Sequence, residues 1–143
     1  MVYCTHNIFN PKIAHTQLNY VAEHESETVM KMYIAILDEF PDHMTPTLVA
    51  HSVLSAHDKF SAADGYYYYY PEYMDWFENS FKKVTIRVNQ KEFDKIAALP
   101  NVHLGHENTT LEGRKACAVV CPMLNENLPN VLKYAKLWKP KHE

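Results

Sequence analysis

The run VMKMYIAIL at residues 29–37 constrains the fold more than any other stretch of this chain. It is nearly all apolar, with β-branched and aromatic members, which suits a central strand buried on both faces. A strand of that kind needs layers above and below it, so the neighbouring segments are expected to supply helices.

They carry the signals for it. After the loop DEFPDHM, the segment TPTLVAHSVLSAHDKF places Thr45 as N-cap with Pro46 at the first helical position. At 100° per residue, Val49, Val53, Ala56 and Phe60 fall within about 60° of one another as a buried stripe. Thr47, His51 and Asp58 lie roughly opposite, on a polar face. PEYMDWFENS reads as a second, short helix with Pro71 at its start. KKVTIRVN (82–89) sets Val84, Ile86 and Val88 against Thr85 and Arg87, a period of two that marks a strand. In NQKEFDKIAALP, Asn89 and Glu92 are spaced as a capping box, and Pro100 ends the helix. NVHLGHENTTLEG gives a short strand and a turn, RKACAVVCP (114–122) another buried strand, and a last helix is expected from about Pro129 to Trp138.

The order strand, helix, helix, strand, helix, strand, strand, helix predicts a single-domain α/β three-layer sandwich. It should hold a mixed sheet of about four strands with helices on both faces. Residues 1–29 lack a clean period and read as an appended segment, with a short helix near Thr16 to Glu23 and the α/β domain over 30–143. At 143 residues with 47% apolar and 22% charged residues, the chain is the size of one domain that can bury its own core.

Several function classes are disfavoured. The start of the chain has no basic segment leading into a long apolar run, and 18 consecutive apolar residues occur nowhere, so a cytoplasmic protein that meets no membrane is expected. Cys4, Cys117 and Cys121 are odd in number and read as reduced thiols, the last two on one face of a strand. The nine histidines show no zinc spacing, and phosphate-loop, dinucleotide and nucleophile-elbow motifs are missing, so neither metal nor cofactor is implied.

The net charge of −3 divides unevenly. Residues 1–71 hold 3 Lys/Arg against 8 Asp/Glu, net −5, whereas residues 72–143 hold 11 against 9, net +2. A phosphate-facing surface should therefore come from the second half, where Arg114 and Lys115 lie. The row Tyr66–Tyr70 contains no positive charge and reads mainly as packing beside a helix pair, since alternate rings of an extended run face opposite sides.

Three patterns together resemble the type II peptidyl-tRNA hydrolases of archaea and eukaryotes. YMDWFENSFKKVTIRVNQKEFDKI (73–96) is similar to the family's Trp-containing helix end, Lys-Val strand and acidic helix. KACAVVCP (115–122), with Gly113 and Lys115 before and at its start, resembles the closing strand, and KMYIAILDEF followed by MTPTLVAHSVLSAH resembles the first strand and helix. The similarity spans about 31–138. It departs from the family at the first helix, where Thr47 stands near the motif lysine and His51 at the glutamine, and at GHENTT (105–110), which replaces an Asp-Ala-Gly turn.

The resemblance implies hydrolysis of the ester between a peptide and tRNA. That reaction needs an activated water, a donor for the developing oxyanion and a grip on phosphate. By analogy His51 would be the base, oriented by Glu107 or Asp38, with Thr47, Thr109 and Thr110 as hydrogen-bond donors and Arg114 and Lys115 facing the substrate. Glu107 and Thr110 complete the catalytic set with His51. The alternative is a silent binding protein on the same fold that grips RNA, tRNA, a nucleotide-like ligand or a protein partner. A homodimer is compatible with either reading, because fold does not fix function.

Overall fold

The computed structural model describes residues 2–3, 29–61, 70–106 and 113–141. The elements are β1 (Val2–Tyr3), β2 (Met30–Leu37), α1 (Thr45–Phe60), α2 (Pro71–Glu78) and β3 (Lys82–Val88). They continue with α3 (Gln90–Ala97), β4 (Val102–His106), β5 (Lys115–Leu124), α4 (Asn130–Lys133) and β6 (Lys136–Leu137). The expected short helix near Thr16 to Glu23 and tyrosines 66–69 lie outside the described residues.

The sheet runs β1-β3-β2-β5-β4, with β6 also on β3. Its four long strands are those expected, and two two-residue strands extend the outer edge of β3. β1 pairs at Lys82 and Lys83, and β6 pairs at Ile86 and Arg87. β2 is parallel to β3, β5 is antiparallel to β2, and β4 is antiparallel to β5, so β2, β3 and β4 all point the same way.

This topology decides the layers. The step from β2 to β3 goes one way across the sheet, and the step from β3 to β4 returns over two strands. Right-handed crossovers then require α1 and α2 on one face and α3 on the other. α4 packs beside α3. Covered on both sides, every residue of β2 from Met30 to Leu37 is buried, whereas β3, nearer the edge, alternates buried and half-buried.

Local chemistry explains the helix starts. The Asn89 side chain accepts from the Glu92 N–H at 2.8 Å and the Glu92 carboxylate accepts from the Asn89 N–H at 2.9 Å, completing the expected capping box. Thr45 is not the N-cap of α1. A 3₁₀ turn at Asp42–Met44 runs directly into the helix, and the Thr45 hydroxyl turns back to the Pro41 carbonyl at 3.4 Å.

Two other expectations need correction. The buried stripe of α1 is Thr45, Leu48, Ser52, Ala56 and Phe60, with Val49 and Val53 half-buried at its side. The helix expected from Pro129 to Trp138 stops after one turn at Lys133. Residues 136–138 instead pair along the open edge of β3, where the Trp138 N–H donates to the Thr85 carbonyl at 2.9 Å. An unpaired sheet edge outweighs the weak stability of a short isolated helix.

Aromatic residues fill the α1–α2 side. Tyr73 and Trp76 are fully buried, and the Trp76 Nε1–H donates to the Lys82 carbonyl at 2.8 Å. Tyr70, the last of the tyrosine row, meets the Phe60 ring edge-on at 5.0 Å. His57 Nδ1 and the Tyr73 hydroxyl are 2.8 Å apart, and burial pushes the Tyr73 phenol above its ordinary range. Cys117 and Cys121 are free and buried, with thiols pushed up to about 12 by burial, which agrees with inert core residues.

Candidate functional site

Because β2, β3 and β4 are co-directional, their carboxyl ends gather the chain at Asp38, Asn89 and the segment beginning at residue 107. Ligand sites of open α/β sheets lie at such an end. The first turns of α1 and the start of β5 are there too, since β5 runs the opposite way and Lys115 is the register partner of His106.

One contact fixes α1 over this end. A Cβ built on Gly105 would lie 2.0 Å from the Ser52 Oγ and 2.6 Å from the Ser52 Cβ. Helix and strand therefore approach through a gap that only glycine leaves open. The Ser52 hydroxyl, fully buried, has no conventional hydrogen-bond partner among the described residues and faces the Cys117 thiol, a weak donor and acceptor. His51 is the adjacent residue on α1, and Glu107 follows Gly105 by two positions. The helix carrying the candidate base is thus pinned at the strand end that feeds the candidate carboxylate.

His51 and Thr47 are exposed on α1, as the polar face predicts. Among the described residues the His51 side chain forms no hydrogen bond or ion pair. Glu107, Thr109 and Thr110 lie outside the described residues. Arg114 and Lys115 are exposed at the start of β5. Arg114 donates to Glu39 at 2.6 Å and to the Gln90 side chain at 3.3 Å, which ties the loop after β2 to the first turn of α3.

Asp38, the alternative partner for His51, is engaged elsewhere. The Arg87 guanidinium donates to both Asp42 oxygens at 3.1 Å and to Asp38 at 3.3 Å. It stacks on the Trp138 ring at 5.0 Å. The Arg87 hydrogen bonds, followed by the Lys141 backbone N–H, hold the Asp42 carboxyl below its ordinary value. Beside this cluster Asp38, Arg87, Val88, Asn89, Glu92 and Lys136 line a crevice of about 300 Å³. It lies at the carboxyl end of β3, bounded by Asp38 just after β2 and by Lys136 of β6; the helices that follow β2 and β3 leave to opposite faces, which makes this end the switch point of the sheet.

Sequence reasoning missed both the Ser52–Gly105 contact and the Arg87 cluster. A glycine inside a short expected strand, in a chain with three glycines, was the available signal for the first. The second joins residues 45 to 52 positions apart and has no local signature.

Among the described residues no group of three metal-ligating side chains occurs, and no helix is long and apolar enough to cross a membrane. Among the described residues, the rim at this end carries the exposed Thr47 and His51 of α1, with Arg114 and Lys115 exposed just before and at the start of β5. The chain matches no protein-family model and no curated protein.

Proposed function

We propose that the protein is a divergent peptidyl-tRNA hydrolase that cleaves the ester between a peptide and the terminal ribose of tRNA at the α1–β4 mouth. The observation that supports this reading is the Ser52–Gly105 contact, which packs the helix that carries His51 against β4 two residues before Glu107 in sequence. In the proposed chemistry the His51 imidazole takes a proton from water as that water attacks the ester carbonyl, and the imidazolium returns it to the ribose oxygen as the acyl C–O bond breaks, releasing the peptide acid and tRNA. Glu107 orients the ring, Thr47, Thr109 and Thr110 donate to the developing oxyanion, and Arg114 and Lys115 meet the phosphates. The element order through β5 and the basic second half of the sequence agree with the resemblance stated above.

A peptidyl-tRNA mimic should be turned over by the wild-type protein, and His51→Ala should lower kcat by about 10²–10⁴-fold, the usual contribution of a general base. Arg114→Ala should act mainly on KM and on salt dependence. No turnover at high protein concentration would end the hydrolase reading.

One observation favours binding without chemistry. Asp38 is committed to Arg87 and Lys141, so His51 has no orienting carboxylate among the described residues. In that case the same rim grips an RNA or nucleotide-like ligand through Arg114 and Lys115, and a ligand-induced rise in Tm without turnover is the signature.

A further inference from the structure

The segment 136–141 does more than cover an edge. Lys136 and Leu137 add to β3, the Trp138 N–H donates to the Thr85 carbonyl, and the Lys139 carbonyl accepts from the Arg87 Nη2 at 2.5 Å. The Lys141 N–H donates to Asp42 at 2.8 Å, and its ammonium donates to the Asp38 carbonyl at 2.9 Å. These are the contacts of an extended peptide bound by strand addition, with main-chain bonds for affinity and a charged pocket for one side chain. Without the segment, Arg87 would face Asp38 and Asp42 with Glu92 nearby, an acidic groove that suits a basic peptide.

We propose that the outer edge of β3 and the Arg87–Asp42–Asp38 cluster form a peptide-binding groove for a lysine-bearing extended segment. Residues 136–141 occupy it in cis as a releasable strap. The strap is built to let go. Its strand is two residues long, Arg87 and Asp42 are part-exposed, and Asp38 and Lys141 are about half exposed. The Trp138 Nε1–H is buried with no acceptor among the described residues, so the seated state leaves one donor unsatisfied. Pro140, which lacks an N–H, fits an edge position. Release would uncover the switch-point crevice that the strap's Lys136 helps to line.

The test uses the full chain and a fluorescent synthetic peptide, AKLWKPK, matching residues 135–141. A strap-released variant, Trp138→Ala with Lys141→Ala, should bind the peptide about tenfold or more tighter than wild type, whose groove is filled at the high effective concentration of a tethered ligand. Adding Asp42→Asn to that variant should weaken peptide binding by about fivefold or more, as loss of a charge-assisted contact does. In wild type, the Trp138 and Lys141 amides should exchange with solvent about tenfold faster in about 0.5 M salt, while the Ile34 amide keeps its rate. If Trp138→Ala destabilises the sheet, Lys141→Glu alone should give the same exchange pattern. The proposal is overturned if the released variant binds the peptide no better than wild type or if Asp42→Asn leaves binding unchanged. It also fails if the Trp138 amide exchanges as slowly as Ile34 and ignores salt.

Discussion

Replacing Gly105 by alanine tests the contact on which the site is built. The new Cβ would fall 2.0 Å from the Ser52 Oγ, 2.6 Å from its Cβ and 3.3 Å from its Cα. Rotation of the serine can move the hydroxyl but not the Cβ or the helix backbone. Restoring an ordinary carbon–carbon separation of about 3.5 Å therefore requires α1 to retreat by about 1 Å. Overpacking of that kind costs about 1–3 kcal/mol, or roughly 3–10 °C in Tm for a domain of this size. Ser52→Gly combined with Gly105→Ala removes both clashing atoms. The pair should be more stable than the sum of the single effects by about 1 kcal/mol or more, even though glycine inside a helix itself costs up to about 1 kcal/mol. Thermal melts of the four proteins measure this directly. A Gly105→Ala protein that melts with wild type, or effects that simply add, would refute the close-contact account and the placement of His51 with it.

Ser52→Ala keeps the packing and removes a buried hydroxyl without a conventional partner, so it should stabilise the fold by up to about 1 kcal/mol in urea titrations. Asp42 has a carboxyl held below the ordinary 3.8 by Arg87. Its contribution is therefore present above about pH 4 and lost as pH falls through the lower folded value; stability against pH should be flatter in Asp42→Asn. Cys117 and Cys121, with thiols pushed up to about 12, should not react with a disulfide reagent at neutral pH until the protein is unfolded.

Much of the fold was legible because its signals are local. The apolar run of β2 announced burial on both faces, the alternation of β3 announced a half-covered strand, and Asn89 with Glu92 announced where α3 begins. The polar face of α1 was legible for the same reason, and His51 and Thr47 are exposed as that face requires. What failed depended on distant residues. Ser52 took the centre of the α1 stripe because Gly105, 53 positions later, leaves room for it. Residues 134–138 gave up a helix because β3 had an open edge, which no window around them reveals. The ion pairs of Arg87 likewise draw on Asp38 and Asp42 from the other side of the domain in sequence. The assignment of Glu107, Thr109 and Thr110 concerns residues outside those described.

Single-turnover cleavage of a peptidyl-tRNA mimic with protein in excess, comparing wild type with His51→Ala at matched Tm, decides whether His51 acts as the base. Wild type should cleave the ester completely, and the variant should do so about 10²–10⁴-fold more slowly with mimic binding retained. Binding of the mimic by wild type without cleavage, or equal cleavage rates in the two proteins, would contradict that role.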